Sequence, residues 1–209
     1  MKFVSRKDWG AKPPKSRRAM PAGNVTHFFL HHAAATYPSG PEAMRRIQRF
    51  HQDSRGWADY AYNWGVWDDG TIFEGRGWGA QGGHTRGWNT RSVAVCYMGD
   101  GGKKVPKAAL DAILKVANEA DKHFGRNLIR QGHRDVGSTA CPGNFLYAWW
   151  GLNATSGDGT EDAPERPSDA AREPEPSPEP RAAKKPAKPV RRKRTAFMDG
   201  WYARMFGYR

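Results

Sequence analysis

Histidine and cysteine side chains that could bind a metal ion occur at two places in the chain. His31 and His32 follow a short apolar run, and His133 precedes Cys141 by eight residues. Two imidazoles and a thiolate suit Zn²⁺, and three protein ligands leave a fourth coordination position for water, whose pKa then falls to about 7. The sequence lacks the two close pairs of ligands that a zinc finger requires. The pattern therefore favours a catalytic metal centre over a structural one, and the alternative is that Cys141 is a small buried hydrophobic residue.

The two adjacent histidines leave one ligand undecided. Successive side chains of a strand point to opposite faces, so only one of His31 and His32 can face a given site. Periodicity does not choose between them. The other cysteine, Cys96, lies within an apolar run and is expected in the core. Two cysteines are too few for a disulfide framework.

Four apolar runs are typical of the β-strands that would position these ligands. They cover residues 25–30, 62–66, 71–74 and 92–98. The dipeptide Asp69-Gly70 separates the second run from the third. Because Asp-Gly is a strong signal for a tight turn, these two strands are expected to form a β-hairpin.

Two further segments have the periodicity of helices. A first helix is expected to begin near Ser39, because Pro41 and Glu42 follow at the positions typical of a helix start. A second helix is expected to end at Gly125. Its apolar stripe consists of Leu110, Ile113, Leu114, Ala117 and Phe124. Strands interspersed with helices predict an α/β fold, in which helices flank a central mixed β-sheet.

The composition of the chain changes sharply after residue 152. Residues 153–180 contain eight acids, two arginines and six prolines, and are expected to form an extended acidic linker. Residues 181–209 carry a net charge of +9, and residues 1–152 carry +10 of the total of +13. We therefore predict one folded domain, 1–152, followed by a disordered C-terminal extension.

The basic tail, residues 181–209, also contains aromatic side chains. We expect it to attach the domain to an anionic polymer or membrane surface, in a manner that is sensitive to salt. A disordered solubilising tail is the alternative. Four consecutive basic residues, 191–194, also allow binding of nucleic acid, but the acidic linker would compete for them, and no nucleic-acid partner is expected.

Targeting signals are not visible in the sequence. The first residues lack the apolar region of a secretory signal. The apolar run 28–30 is far shorter than the ~20 residues that a membrane helix needs. We therefore expect synthesis in the cytosol, so that action outside the cell requires release by another component.

Several motifs follow the order of a known family. They are residues 4–11, His31-His32, residues 56–63, residues 69–78, His84 with Asn89, and residues 132–143. In these motifs the chain resembles the zinc amidase family that comprises phage and bacterial N-acetylmuramoyl-L-alanine amidases and the peptidoglycan recognition proteins. The resemblance covers residues 4 to about 150. It implies a central mixed sheet, flanking helices and a shallow groove that contains zinc.

The resemblance also implies roles for individual residues. The zinc ligands fall on His31, His133 and Cys141, which selects His31 from the histidine pair. The catalytic tyrosine falls on Tyr62. The second polar catalytic residue falls on Thr139, where relatives have Lys or Thr.

Substrate contacts are expected from three further residues. His84 and Asn89 correspond to residues that line the substrate groove, with a role in loop structure as the alternative. His32 is assigned to the same site, with a packing role as its alternative. His51 also corresponds to a histidine of the family, although packing on the helix face explains it equally well.

The implied function is that of a monomeric zinc hydrolase of the phage endolysin type. It would cleave the amide between N-acetylmuramic acid and L-Ala of the peptidoglycan stem peptide, with Tyr62 and Thr139 bonded to the developing oxyanion. It would remain in the host bacterial cytoplasm until a separate pore releases it to the wall. The alternative is a non-catalytic peptidoglycan-binding protein. Such proteins typically lack a metal ligand, so the complete ligand set favours the enzyme.

Overall fold

A computed structural model describes residues 2–154 of the protein. They form one six-stranded mixed β-sheet with three α-helices. The strands are β1 (Phe3–Val4), β2 (His27–His32), β3 (Trp64–Val66), β4 (Ile72–Glu74), β5 (Ser92–Tyr97) and β6 (Ile129–Gly132). The helices are α1 (Gly40–Arg49), α2 (Lys107–Phe124) and α3 (Asn144–Asn153). In this part of the chain, no helix combines the length and the apolar character needed to cross a bilayer.

The sheet places β2 between two parallel neighbours. The strand order is β1-β4-β3-β5-β2-β6, and only the β3–β4 pair is antiparallel. Parallel strands bring their carboxyl ends to the same edge of a sheet, where open α/β sheets bind their ligands. His31 therefore lies near this edge at the end of β2, and His133 lies there as the first residue after β6.

Both faces of β2 are buried, but against different partners. Phe28 and Leu30 belong to the core that the sheet forms with α2 and α3, and the rings of Phe28 and Trp150 lie 6.1 Å apart. On the opposite face, Phe29 packs edge-on against Trp88 at 5.8 Å between ring centroids. The loop that precedes β5 thus covers the face of β2 to which His31 belongs.

The helices pack where their apolar faces meet the sheet. The buried residues of α2 are mostly small, including Ala109, Ala112 and Ala117, which lets the helix approach the sheet closely. The apolar stripe predicted for this helix differs slightly from the face that is buried. Leu110 and Leu114 belong to the predicted stripe but are only partly buried. Helix α1 packs Met44 and other apolar residues into a second core on the other side.

Turn and cap signals in the sequence correspond to the observed backbone. Gly70 adopts a φ of +80°, and its amide donates to the Trp67 carbonyl at 2.9 Å within the turn that joins β3 to β4. Gly125 ends α2 with a φ of +64°. Both positions require the left-handed region that glycine enters without a steric penalty. Ser39 is the N-cap of α1, although its side chain makes no capping hydrogen bond.

The predicted mixed sheet with flanking helices is confirmed, and the differences concern single elements. β2 begins and ends two residues later than the predicted strand 25–30. β1, β6 and α3 are not predicted from the sequence. The predicted linker 153–180 lies outside the described residues apart from its first two positions, and the predicted tail 181–209 lies wholly outside them.

A buried asparagine joins the hairpin to its surroundings. Asn63 is fully buried, and its side-chain amide donates to the carbonyls of Gly77 and Ala80 at 2.7 and 3.0 Å. Its side-chain oxygen accepts the amide hydrogen of Ala94 in β5 at 2.9 Å. One side chain therefore satisfies three backbone groups that would otherwise be buried without a partner.

Replacement of Asn63 tests this role. We expect Asn63→Ala to lower the free energy of unfolding by about 2–4 kcal/mol, because buried polar groups lose their partners. Chemical denaturation measures this change. Asn24→Ala, at an exposed position before β2, is the control and should change stability by less than about 1 kcal/mol. Equal effects of the two variants would contradict the assigned role.

Candidate metal centre

Three side chains from separate parts of the chain converge at the carboxyl edge of the sheet. One nitrogen each of His31 and His133 and the sulfur of Cys141 all lie within 4.8 Å of one another. The two imidazole rings are 4.6 Å apart between centroids. This is the one group of three or more potential ligands found in residues 2–154. Its two nitrogens and one sulfur match the ligand chemistry of Zn²⁺, with one coordination position left open.

The backbone after β6 positions His133. The residue opens a short 3₁₀ turn, His133–Asp135, directly after the strand. Asp135 closes this turn, because one carboxylate oxygen accepts the Gly132 amide hydrogen at 2.7 Å and the other accepts the Tyr147 hydroxyl. The direction of the His133 side chain is therefore set by both β6 and α3.

Arg134 holds the loop that carries Cys141. The Arg134 amide donates to the Cys141 carbonyl at 3.1 Å, and the guanidinium donates to the Ala140 carbonyl. The same guanidinium lies 4.6 Å from the centre of the Tyr147 ring, in cation–π geometry. The sulfur itself accepts the His32 amide hydrogen at 3.4 Å, an interaction that favours the thiolate.

Burial keeps the potential ligands uncharged unless a cation is bound. It lowers the pKa of His31 well below the usual value, with smaller contributions from the nearby histidines His84, His133 and His32. Burial likewise raises the pKa of the Cys141 thiol to about 12. A bound divalent cation compensates the cost of a buried thiolate and takes lone pairs from neutral imidazoles. The donor set therefore fits a zinc ion.

The two nitrogens of His31 face different partners. Nδ1 lies 3.5 Å from the Cys141 sulfur, on the side of the other ligands, and Nε2 lies 3.2 Å from the Thr85 hydroxyl oxygen. A metal bound through Nδ1 requires the proton to be on Nε2, which then donates to Thr85. The Thr85 hydroxyl lies 2.9 Å from His84 Nδ1 and can donate a hydrogen bond to that nitrogen. Thr85 thus orients the ring of His31, and it accepts the Nε2 hydrogen when a metal is bound at Nδ1.

Asn89 fixes Thr85 in turn. Its side-chain oxygen accepts the amide hydrogens of His84 and Thr85 at 2.8 and 3.0 Å. This arrangement supports the structural alternative for Asn89, and a contact between its side chain and substrate stays a prediction. The other ring nitrogen of His84, Nε2, is buried without a hydrogen-bond partner among the described residues. His84 as a whole is buried, and a contact between its side chain and substrate stays a prediction.

Tyr62 lies beside the candidate ligands. Its ring is 5.0 Å from that of His31 and is nearly parallel to that of His84 at 6.4 Å. Burial raises the pKa of Tyr62 well above its usual value, so the hydroxyl carries its proton at neutral pH. A protonated hydroxyl in this place can donate a hydrogen bond to a substrate oxygen.

His51 supports the segment that ends at Tyr62. Its Nδ1 accepts the Ala61 amide hydrogen at 3.1 Å, and its ring stacks on Trp57 at 4.8 Å. Burial lowers the pKa of His51 to about 3, so the nitrogen remains an acceptor. His51 lies in a π-helical turn just after α1, and its hydrogen bond accounts for it in structural terms.

Thr139 and His32 lie at the edge of the site. Thr139 is exposed, and its hydroxyl oxygen accepts the Cys141 amide hydrogen at 3.2 Å, which leaves the hydroxyl hydrogen for another acceptor. His32 Nδ1 accepts the Gly101 amide hydrogen at 3.0 Å. This bond agrees with the packing role that was the alternative for His32, and its contact with substrate stays a prediction.

Two supporting residues could not be recognised from the sequence alone. Thr85 contacts His31 across 54 residues, and Arg134 holds Cys141 through backbone carbonyls. Neither contact produces a local pattern. The motif that contains His84 and Asn89 is the only local signal for Thr85, and it does not reveal which side chain the threonine touches.

Known proteins resemble this chain in sequence and in fold. The model of the family described as N-acetylmuramoyl-L-alanine amidase matches residues 21–144. Peptidoglycan-recognition protein SC2 of Drosophila simulans is 33% identical over an alignment of 152 residues, which covers 69% of this chain and 82% of that protein. The N-acetylmuramoyl-L-alanine amidase of Mus musculus is 34% identical over 151 residues, covering 66% of this chain and 28% of that protein.

A solved structure extends the likeness to three dimensions. It is a tyrosine-to-phenylalanine mutant of Drosophila PGRP-LB in complex with tracheal cytotoxin, and it is 35% identical to this chain. The TM-score is 0.66, and the match covers 71% of this chain and 92% of that one.

The hydrogen bond from Thr85 to His31 predicts a measurable effect on metal binding. We expect Thr85→Val to weaken zinc affinity by about 10- to 100-fold, because the ring of His31 loses the group that orients it. Competition with a chromophoric chelator measures the dissociation constant without any assay of activity. Thr85→Ser should retain wild-type affinity, and so should Thr90→Val at an exposed position five residues away. Unchanged affinity in Thr85→Val would refute the assigned role.

Proposed function

The chain belongs to the N-acetylmuramoyl-L-alanine amidase family, and we propose that it is a zinc-dependent amidase of bacterial peptidoglycan. The amide that we propose as its target joins N-acetylmuramic acid to L-Ala of the stem peptide. The observation that carries this proposal is the convergence of His31, His133 and Cys141 with Tyr62 beside them. Together they supply a full set of three zinc ligands and a neutral hydrogen-bond donor.

The chain's own residues have distinct roles in this reaction. When bound by His31, His133 and Cys141, zinc supplies Lewis-acid polarisation of a carbonyl and lowers the pKa of a water molecule. Tyr62 donates its hydroxyl hydrogen to the carbonyl oxygen as negative charge develops there. Thr139 donates a hydrogen bond to the same carbonyl oxygen from the exposed side. Its hydroxyl oxygen accepts the Cys141 amide hydrogen, which leaves the hydroxyl hydrogen free to donate. Such bonds strengthen in the transition state and thereby lower its free energy.

Peptidoglycan as the substrate class is supported by the relatives. Several are named peptidoglycan-recognition proteins, and one related structure is a complex with tracheal cytotoxin. A non-catalytic binding protein of this family is the competing function. The complete ligand set favours hydrolysis, because binding of the glycopeptide alone does not require three convergent metal ligands.

The biological setting is part of the proposal. We propose that the chain is a monomeric enzyme of the endolysin type. It would reach the wall after a separate pore has opened the membrane of the host bacterium. Residues 181–209 would then tether the enzyme to an anionic envelope surface through their positive charge.

Removal of the thiolate ligand tests the metal dependence. We expect Cys141→Ser to lose bound zinc and to release no peptides from purified wall, because serine is a far poorer zinc ligand than a thiolate. Elemental analysis measures the bound zinc, and mass spectrometry detects the free L-Ala amine of released peptides. Cys96→Ala removes the other thiol, which is buried at the second-last residue of β5, and should keep one zinc ion per chain. A wild-type protein that binds zinc and wall but releases no peptide would favour the non-catalytic alternative.

Substitution of the tyrosine separates chemistry from metal binding. Tyr62→Phe keeps the ring but loses the hydroxyl, so zinc content and folding should persist while kcat falls by about 10²–10³-fold. Hydrolysis of a soluble muropeptide gives kcat and KM. Tyr97→Phe is the matched control. The Tyr97 hydroxyl donates to the Asp68 carboxylate at 2.6 Å, and neither residue belongs to the candidate ligand set. A Tyr62→Phe enzyme with wild-type kcat would rule out the oxyanion role.

A further inference from the structure

A pocket rich in arginine lies between the N-terminal segment and the loop that follows β4. Arg6, Arg17, Arg18 and Arg76 line it together with Asp59. None of the candidate zinc ligands contributes to its wall, and neither Tyr62 nor Thr139 does. The pocket is therefore a site separate from the metal centre, and the proposed hydrolysis gives it no role.

The carboxylate of the pocket is already committed to internal partners. Asp59 lies 3.0 Å from the Arg6 guanidinium, and its side chain is only 5% exposed. Its other oxygen accepts hydrogens from the Gln48 side chain at 2.7 Å and from the Tyr60 amide at 2.8 Å. Asp59 is the one carboxylate of the pocket wall, and it forms its ion pair with Arg6 rather than with Arg17, Arg18 or Arg76.

Arg76 forms the fixed inner wall. Its Nε donates to the Tyr60 carbonyl at 2.6 Å, and one terminal nitrogen donates to the Gln81 carbonyl at 2.8 Å. Burial lowers the pKa of Arg76, Asp59 opposes this effect, and the charge of Arg6 lowers the pKa further. An anion in the pocket would relieve the repulsion between these two partly buried cations.

Arg17 and Arg18 form the outer wall and are exposed. Their backbone is fixed to the opposite loop, because the Gln81 amide donates to the Arg18 carbonyl at 2.9 Å and a β-bridge joins Ala19 to Ala80. The guanidinium of Arg17 has one long bond, 3.4 Å, to the Arg76 carbonyl. Both side chains thus have hydrogen-bond donors available for a ligand, while the backbone that carries them is held in place.

The size and the donors of the pocket indicate the kind of ligand. Its volume of about 50 Å³ is several times what one ordered water requires, which provides room for a compact oxyanion. Ser16 and Gln81 add neutral polar groups to the wall. Guanidinium groups bind phosphate through paired hydrogen bonds, and donors that approach from several sides match its tetrahedral oxygens better than they match a planar carboxylate.

We propose that this pocket binds a phosphodiester group, and that its natural source is an anionic polymer of the bacterial envelope. The phosphate chemistry follows from the pocket alone. The choice of an envelope polymer rests on the proposed function, because the wall is where such an enzyme would meet repeated phosphodiesters. Binding here would hold the folded domain on the wall surface independently of residues 181–209.

The experiment uses the full, zinc-loaded chain labelled with ¹⁵N. Dimethyl phosphate and a short glycerol phosphate oligomer are titrated at constant ionic strength, and the amide signals of Ser16, Arg17 and Gln81 are followed. We expect these signals to shift and saturate with both probes. The double variant Arg17→Gln/Arg18→Gln should weaken binding at this site by about tenfold or more, because it removes two charged donors.

A second double variant controls for net charge. Lys104→Gln/Lys115→Gln removes the same two charges at exposed positions outside the pocket and should keep wild-type affinity. Hydrolysis of a soluble muropeptide should be equal in all three proteins. If the pocket binds both probes but no muropeptide is cleaved, the phosphate site stands and the proposed amidase function fails.

Four results would overturn the inference. The first is the absence of saturable shifts in the wild type, and the second is an equal loss of affinity in both double variants, which would mean attraction by net charge alone. Acetate that shifts the same amides with equal affinity would refute selectivity for phosphate. A DNA oligonucleotide that binds the pocket more tightly than a glycerol phosphate oligomer of equal charge would refute the envelope polymer as the partner.

Discussion

The parallel pairing of β2 with β6 is the constraint on which the candidate metal centre depends. Leu30 lies opposite Gly132 in this pair, so His31 and His133 follow at the same edge of the sheet with their rings 4.6 Å apart. Because side chains alternate along a strand, a slip of one residue would turn His31 into the core beneath α2 and α3. The apolar side chains on both faces of β2 make such a slip costly, and the packing of the core therefore protects the geometry of the site.

Buried polar side chains complete what the sheet begins. Thr85 orients His31, Arg134 holds the loop of Cys141, and Asn63 and Arg76 bind the backbone on either side of the hairpin. Asn63 satisfies backbone groups that would otherwise be buried without hydrogen bonds, and the other contacts hold each loop in one arrangement. Loops fixed in this way can present catalytic side chains with the precision that a metal site requires.

Local sequence was sufficient for those elements whose backbone demands particular residues. The Asp69-Gly70 hairpin and the end of α2 at Gly125 could be predicted because glycine is needed for their positive φ values. β6 was not predictable, since Ile129–Gly132 has too few apolar side chains to mark a strand, and its extended form results from pairing with β2. β1 has only two residues, and it owes its strand character in the same way to β4.

The sequence by itself determined the kind of chemistry, because residue types decide which metal and which donors are possible. Two imidazoles and a thiolate indicated zinc, and the order of motifs indicated the family. The alternation of side chains left the choice between His31 and His32 open, and only the resemblance selected His31. The tertiary structure decided which atoms meet: Nδ1 of His31 faces Cys141 across 110 residues, and Nε2 faces Thr85 across 54. Contacts at such separations depend on strand order and loop packing, which no local pattern of residues encodes.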